Sequence, residues 1–243
     1  MNGCYQGTII FRKNEVLRDL KNDGVISVTM FYTVMLLLSF LLLACVRTSY
    51  SRDIHFGKKM VNVSGLSDVD LHKLKETIEH LRTLQPDKME INEEVYKRLS
   101  HFEERFGFPF NGEKLVHWLL SRVQTFSYRN TWTVAINQNK GTFFLGDAFF
   151  NDLSELERLY LLIHEARHSD SGGYKHIKCP EGFVFISAGQ PKKDLQEELA
   201  CDESGDGAYA FQSAFLFELF AFGLFDKREV GLLYNSSISR VIR

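Results

Sequence analysis

The sequence predicts an α+β fold with a helical N-terminal half, a small antiparallel sheet and further helices towards the C terminus. Apolar residues recur every three or four positions between residues 67 and 123 and again after residue 151, which is typical of amphipathic helices. Between these helices, two short segments rich in β-branched and aromatic residues flank a loop that contains glycine, as in a β-hairpin. With 44% hydrophobic and 25% charged residues, the chain has the composition of a globular protein with a buried core.

An uncharged apolar run at residues 25–46 precedes the helices. It is long enough to span a bilayer as a helix, and it could equally be a secretion signal. Its end, LLAC at residues 42–45, resembles the lipobox of bacterial lipoproteins, which implies lipid attachment at Cys45 after cleavage. The alternative is an uncleaved anchor, and Met30 is a second candidate for the true start. We therefore assign residues 1–45 to a signal or membrane anchor, and both interpretations place the remainder outside the cytoplasm and tethered to a membrane.

Residues 46–63 are polar without clear periodicity and are interpreted as a tether, so the globular domain is expected at residues 64–243. Three helices are predicted at the start of this domain, and the first opens at Ser67 and stops before Pro86. Their apolar stripes are formed, in order, by Leu71, Leu74, Ile78, Leu81 and Leu84, by Val95, Leu99, Phe102 and Phe106, and by Leu115, Leu119 and Val123. Each stripe would bury one face of its helix in a common core.

The hairpin is predicted at residues 131–136 and 142–146, joined by a loop at residues 137–141. A helix follows at residues 151–168. Ser154, with a glutamate three positions later, matches a capping box, in which two side chains accept hydrogen bonds from each other's backbone amides. The sequence thus places a well-capped helix directly after a hairpin.

Two further helices are predicted nearer the C terminus. The first covers residues 191–204 and begins with a proline, which is tolerated in the first turn of a helix. The second covers residues 208–225 and is strongly apolar. Because it contains Glu218, we expect a buried core helix rather than a membrane span.

Cysteine use fits a location outside the cytoplasm. With Cys45 as the lipid acceptor and Cys4 before the apolar run, Cys179 and Cys201 are the only pair left in the soluble part. In an oxidising compartment such a pair is expected to form a disulfide. The alternative is two unpaired buried thiols.

The segment HEARH at residues 164–168 carries the clearest chemical signal. His164 and His168 are four positions apart, so on a helix they share one face and can bind one metal ion. Glu165 projects from the edge of that face, displaced from the metal yet close enough to hold a metal-bound water. Two neutral imidazoles and a general-base glutamate are the working parts of the H-E-x-x-H pattern of zinc peptidases. The alternative is a core helix whose histidines hydrogen-bond to their neighbours.

Through HEARH and the preceding hairpin, the chain resembles the zincin superfamily of metallopeptidases, mainly over residues 131–202. It also looks like bacterial lipoproteins that carry HEARH. The resemblance implies Zn²⁺ as the cofactor, and a peptide or protein substrate that lies along an edge strand of the sheet. It further implies that His164 and His168 bind zinc, and that Glu165 activates zinc-bound water for attack on the amide carbonyl.

A catalytic zinc site needs a third protein ligand, and two residues compete for this role. We favour Glu198, which forms E-x-x-x-D with Asp202 on the predicted helix at residues 191–204. This pattern is similar to that of gluzincins, in which the glutamate binds the metal and the aspartate orients a histidine ligand. The alternative is His176, which follows a Gly-Gly pair as in metzincins, although the spacing here is two residues longer than theirs.

Residues close to the motif are weaker candidates for the site. Asp170 could be a metal ligand or accept a hydrogen bond from one, and Tyr174 or Tyr209 could stabilise a developing oxyanion. We favour a solvated turn position for Asp170 and ordinary aromatic packing for the two tyrosines. Arg167, inside the motif, is expected to have a structural role, such as pairing with a carboxylate.

The expected function follows from the predicted zinc site and from the predicted location outside the cytoplasm. A net charge of −2 without a long basic run lacks the electrostatic footprint of a nucleic-acid-binding protein. We expect a membrane-tethered, extracytoplasmic zinc metallopeptidase. Two other functions stay open: a non-catalytic envelope lipoprotein whose structural metal has four protein ligands, and a zinc hydrolase of a non-peptide amide.

Overall fold

The computed structural model describes residues 51–130, 135–139, 141–170, 175–182, 185–186 and 195–242, with only the backbone described for residues 135–139. The chain divides into two units, residues 1–48 and 49–243, and the described residues belong to the second. The predicted signal or anchor segment, including Cys45, therefore lies outside them. Within the described ranges, no helix is both long enough and apolar enough to cross a membrane.

The described residues form both helices and strands, which confirms the predicted α+β class. The helices are α1 (Asp68–Thr83), α2 (Glu93–Leu99), α3 (Phe102–Phe106), α4 (Gly112–Ser121), α5 (Asp147–Asn151), α6 (Glu155–His168), α7 (Ala208–Ala221) and α8 (Lys227–Ile238). The strands are β1 (Ser51–Phe56), β2 (Lys59–Ser64), β3 (Thr125–Tyr128), β4 (Ala135–Asn139), β5 (Thr142–Leu145), β6 (Ile177–Lys178) and β7 (Leu199–Cys201).

Strands β1 to β5 form one sheet in the order β1-β2-β3-β5-β4, and β6 and β7 form a second, smaller sheet. The pairs β1–β2 and β4–β5 are antiparallel, whereas β2–β3 and β3–β5 are parallel. The prediction of an antiparallel sheet is therefore wrong for the larger sheet, which is mixed. Helices α1 to α4 make the parallel β2–β3 pair possible, because a parallel connection must carry the chain back to the starting edge of the sheet.

Residues 51–64 form the β1–β2 hairpin, so the tether predicted at residues 46–63 is wrong from residue 51 onwards. Val61 and Val63 are each 1% exposed, whereas their neighbours along β2 are partly or fully solvated. Gly57, at φ 61°, allows the tight turn between the two strands. This alternation is typical of a strand with one buried face, but it involves too few apolar residues to stand out in the sequence.

Of the three helices predicted at the start of the domain, two are confirmed and one is wrong as a single helix. The first is confirmed as α1, with Ser67 as its N-cap in a capping box. The second is wrong as one helix, because the chain forms α2 and α3 with a break at Ser100 and His101. The hydroxyl of Ser100 donates to Glu218 at 2.6 Å, so a tertiary contact accompanies the break. The third is confirmed as α4, and Val123, two residues past its end, is buried.

The predicted hairpin before the helix that carries HEARH is confirmed by the antiparallel pair β4–β5. Strand β4 extends to Asn139, through residues that were predicted to be loop, and residues 131–134 lie outside the described ranges. Helix α6 begins at Glu155 with the predicted capping box of Ser154 and Glu157. It contacts α1, α4, α7 and β4, so the HEARH motif is held by neighbours from both the helices and the sheet.

Strand β7 replaces the second part of the helix predicted at residues 191–204, and that prediction is wrong there. Residues 191–194 lie outside the described ranges. Glu197 has a φ of 64°, a left-handed conformation that an α-helix excludes. Strand β7 pairs with β6, and the predicted disulfide between Cys179 and Cys201 is present between them. Pairing with the distant strand β6 therefore determined the structure of residues 199–201, although their local composition favours a helix.

Helix α7 is the predicted core helix, since its residues are buried on every side. Its ring of Phe211 lies 4.9 Å from that of Phe106 and stacks at 5.8 Å on Trp118. Phe215, 0% exposed, lies near Phe110. The high phenylalanine content therefore fills the core around this helix.

Glu218 is the charged residue of α7, and it is 0% exposed. The hydroxyls of Tyr96 and Ser100 donate to its two carboxylate oxygens at 2.9 and 2.6 Å. Burial raises the pKa of Glu218 above its ordinary value of 4.5, and the two hydrogen bonds oppose this rise. Burial and the nearby Glu218 charge raise the pKa of Tyr96 to about 12, so the phenol stays protonated and can donate.

We expect the contribution of Glu218 to the free energy of unfolding to fall as the pH rises from 4.5 through the raised pKa of this residue. The reason is that the unfolded chain releases this proton at a lower pH than the folded chain. Glu218→Gln removes the titrating group, so its stability relative to the wild type should increase with pH. Urea denaturation between roughly pH 4 and 8 measures this difference. Glu181→Gln, at an exposed turn, is the control and should leave the pH dependence unchanged. A Glu218→Gln difference that is constant with pH would contradict the prediction.

Candidate metal centre

The structure brings three histidines together at the end of α6. His164 and His168 lie one turn apart on this helix, and His176 lies directly before β6. The Nε2 atom of His164 is 3.1 Å from Nε2 of His176 and 3.2 Å from Nε2 of His168. One ligand atom from each histidine lies within 4.8 Å of the other two. The three side chains could therefore hold one metal ion.

Glu198, which we favoured from the sequence as the third ligand, is not a member of this group. It is exposed and precedes a strand instead of lying on a helix. Its carbonyl oxygen accepts a hydrogen bond from the amide of Cys179 at 2.9 Å, so its backbone belongs to the pairing beside β6. Among the described residues, His176 rather than Glu198 is placed to bind the same ion as His164 and His168.

The β6–β7 ladder determines where His176 lies. Ile177 is paired with Cys201, so His176, one residue before, and Asp202, one residue after, leave the ladder at the same end. The disulfide links Cys201 of β7 to Cys179, the residue directly after β6. His176 therefore reaches the site through a long-range pairing and not through helical spacing.

Asp202 is 2% exposed and connects His176 to helix α7. Its Oδ1 lies 3.1 Å from Nδ1 of His176, and its Oδ2 accepts hydrogen bonds from the amides of Tyr209 at 2.6 Å and Ala210 at 3.1 Å. These amides are in the first turn of α7, where they lack helical partners and where the helix dipole favours an anion. The contact with His176 matches the predicted role of Asp202, which was to orient a histidine.

The separations of the His164 Nε2 atom from the other two Nε2 atoms suit one ion of the size of zinc. A carboxylate only accepts hydrogen bonds, so His176 donates from Nδ1 and directs the Nε2 lone pair towards the other histidines. The Nδ1 of His164 lies 2.9 Å from Oε1 of Gln212, which directs its Nε2 towards the same point. Two nitrogen ligands of tetrahedral zinc lie roughly 3.3–3.4 Å apart, given Zn–N distances of about 2.0–2.1 Å. The observed separations of 3.1 and 3.2 Å are close to this value.

Burial keeps His164 in the form that binds metals. Its exposed fraction is 5%. Burial lowers the pKa of His164 well below its ordinary value of 6.5, the neighbouring His168 and His176 lower it further, and the hydrogen bond with Gln212 opposes the change. The imidazole is therefore neutral at neutral pH, as a metal-binding histidine must be.

Glu165 and Tyr209 lie beside the histidines. Glu165 is 5% exposed and directly follows the first histidine on α6. The ring of Tyr209 lies 4.6 Å from that of His164 and 4.7 Å from that of His176, and its hydroxyl accepts a hydrogen bond from Arg240 at 2.6 Å. Burial raises the pKa of Tyr209, Arg240 opposes the rise, and the charges of Asp202 and Glu165 add to it. Tyr209 therefore packs as a neutral phenol against the two imidazoles.

Asp170 and Arg167 stabilise the end of α6. The Asp170 carboxylate contacts Arg167 at 2.5 Å and Arg122 at 2.8 Å. Arg167 also donates to the carbonyl oxygen of Asp206 at 2.8 Å. Asp170 is thus an ion-pair partner outside the histidine group instead of a solvated turn residue, and Arg167 has the predicted structural role. Tyr174 lies outside the described residues.

Two residues at the site were not predicted from the sequence, namely Gln212 and Arg240. Gln212 is 6% exposed and contacts His164, and Arg240 donates to Tyr209. A single amide in an otherwise apolar helix is a signal that could have identified Gln212. Arg240 belongs to no recognisable local pattern.

The chain has no match among protein-family models, curated proteins or solved structures. The chemistry of the site is therefore inferred from its own residues.

Gly207, the N-cap of α7, leaves the space that the Asp202 carboxylate occupies. Its φ of −75° is ordinary, but a Cβ at this position would lie 2.2 Å from Cγ and 2.3 Å from Oδ2 of Asp202. We expect Gly207→Ala to displace Asp202 from α7 and from His176, and to lower the free energy of unfolding by about 2 kcal/mol or more, as measured by urea denaturation.

The matched control is Gly231→Ala, because a Cβ in that helical position meets nothing within 4 Å. Alanine should be neutral or should stabilise α8 by up to about 1 kcal/mol. If the two alanine variants were equally stable, Gly207 would not be needed to accommodate Asp202.

Proposed function

We propose that this protein is a membrane-tethered, extracytoplasmic zinc metallopeptidase of the zincin type, with its catalytic site at His164, His168 and His176. The observation that carries the proposal is the convergence of three imidazole groups, with the buried Glu165 directly after His164 on α6. Imidazole is a common zinc ligand, and catalytic zinc sites combine three protein ligands with one open position.

The number of ligands supports a catalytic metal over a structural one. A closed structural site has four protein ligands, for example Glu198 together with the three histidines. In the part of the chain that the structure describes, the group consists of the three histidines, and Glu198 is exposed. This arrangement would leave one position for water or substrate.

In the proposed mechanism, the three histidines would hold the metal ion and Glu165 would transfer protons. A bound zinc ion would polarise the substrate carbonyl and lower the pKa of water to about 7. Glu165 would act as the general base that takes a proton from the attacking water and later delivers it to the leaving amine. Because Glu165 follows His164 on α6, one rigid helix sets both the base and two of the ligands.

The position of β4 favours a peptide substrate over a non-peptide amide. Strand β4 is an outer strand of the larger sheet, runs antiparallel to β5 and contacts α6. An extended peptide can add to such an edge through main-chain hydrogen bonds. A peptide bound in this way would run beside the helix that carries HEARH.

The proposed location rests on the N-terminal sequence and on the disulfide. The uncharged run at residues 25–46 and the LLAC segment ending at Cys45 support a lipid or helical membrane anchor. The bridge between Cys179 and Cys201 supports an oxidising compartment, because thiols in the cytoplasm are kept reduced.

We expect His176→Ala to weaken zinc binding by a factor of about 100 or more, because the site loses one of three ligands. Glu198→Ala should keep the zinc affinity within about twofold of the wild type, because this side chain is exposed and lies outside the histidine group. Competition with a chromogenic chelator measures both variants of the full-length protein. The opposite ranking would restore Glu198 as the third ligand and refute our assignment.

We expect Glu165→Gln to retain bound zinc but to lose peptide hydrolysis by a factor of about 10²–10⁴, because an amide cannot take the proton. Cleavage of a peptide library and metal analysis measure the two properties. Glu203→Gln, at an exposed position next to Asp202, is the matched control and should keep its activity. Activity that survives in Glu165→Gln would rule out the mechanism. A zinc-loaded wild-type protein that cleaves no peptide would favour the structural-metal function.

A further inference from the structure

Gln212 places an amide inside the strongly apolar helix α7, where it is 6% exposed. Its Oε1 lies 2.9 Å from Nδ1 of His164, and its Nε2 donates to Oγ of Ser237 on α8 at 2.7 Å. Burying an amide without partners costs about 1–3 kcal/mol. The two hydrogen-bond partners offset this cost. One of them is His164, so the amide can orient a member of the histidine group.

Ser237 decides which end of the amide faces His164. The hydroxyl of Ser237 lies 2.7 Å from the carbonyl oxygen of Leu233, and two oxygens at this distance need a proton between them. Because Ser237 gives its one proton to Leu233, it can only accept from Gln212. The NH₂ group of Gln212 must therefore face Ser237, and its carbonyl oxygen must face His164.

The carbonyl oxygen of Leu233 thus sets the direction of the whole chain of hydrogen bonds, because a carbonyl cannot donate. Oε1 of Gln212 also only accepts, so His164 must carry its hydrogen on Nδ1. With the amide reversed, the hydrogen of His164 would be on Nε2, 3.1 Å from Nε2 of His176 and 3.2 Å from Nε2 of His168. A hydrogen there would occupy the direction in which a metal ion has to bind.

We propose that Ser237 and Gln212 are positioning residues that hold His164 in its metal-binding tautomer. The consequence for metal binding rests on the proposed function, whereas the tautomer is a property of the metal-free chain. The two long-range supports of the site then differ in charge: the neutral amide of Gln212 orients His164, and the carboxylate of Asp202 orients His176. This arrangement gives α8 a part in the site, although Ser237 acts only through Gln212.

The test removes the acceptor for the Gln212 amide with Ser237→Ala. We expect both orientations of the amide, and therefore both tautomers of His164, to be populated in the metal-free, full-length protein. Nitrogen NMR of ¹⁵N-histidine-labelled protein at neutral pH reads the tautomer, because protonated and bare ring nitrogens have different chemical shifts. Zinc affinity should fall by a factor of about 10–100. A purely structural role for Ser237 would not change the tautomer of the folded protein.

A matched control and a rescue complete the test. Ser213 is also a buried serine, on α7, whose hydroxyl donates to the carbonyl of Ala210 at 2.9 Å, so Ser213→Ala should change neither the tautomer nor the zinc affinity. Adding Gln212→Glu to Ser237→Ala should restore the single Nδ1–H tautomer, because an ionised carboxylate only accepts hydrogen bonds.

The inference is overturned if Ser237→Ala keeps the wild-type tautomer, or if Ser213→Ala disturbs it equally. If the wild-type protein binds no zinc, the proposed function fails, while the tautomer measurement still decides whether Ser237 and Gln212 position His164.

Discussion

Three imidazole nitrogens that face one another are the constraint on which the rest of this structure depends. At 3.1 and 3.2 Å, bare lone pairs repel unless a cation or a proton lies between them, so the surrounding protein must hold the rings in place. Asp202 does this for His176, and Gln212 does it for His164. Both act through α7, since Asp202 is bonded to its first turn and Gln212 lies in its second. The strongly apolar helix α7 therefore also holds in place two of the three histidines, His164 and His176.

The site is assembled from distant segments, and each is held by a different kind of contact. Helix α6 supplies two histidines through its own spacing, whereas His176 depends on the β6–β7 pairing. Among the described residues, that small sheet has few buried apolar neighbours, so the Cys179–Cys201 disulfide supplies a constraint that packing among them does not. The last residues of the described chain also contribute: the carbonyl of Arg240 accepts the amide of Asp202 at 2.8 Å, and the amide of Ile242 donates to the carbonyl of Asp202 at 3.0 Å.

Glu218 and Glu165 are both buried acids, but their surroundings differ. Glu218 is completely buried, but its partners are the hydroxyls of Tyr96 on α2 and of Ser100 in the break after α2, so it connects core elements. Glu165 is distinguished by its place on α6 directly after His164, beside the converging histidines. Burial of an acid alone therefore does not indicate catalysis.

Sequence alone determined the features that depend on contacts within a turn or two of helix. Residues four apart share a helix face in any fold, so the pairing of His164 with His168 could be predicted, as could the α6 cap and the buried helix α7. Only the tertiary structure placed His176, and not Glu198, beside His164 and His168, because pairing with β6 made the segment before Asp202 a strand. The mixed order of the larger sheet and the role of Gln212 were likewise beyond local patterns. These features depend on which distant segments meet, and strand pairing and core packing of the whole chain decide that.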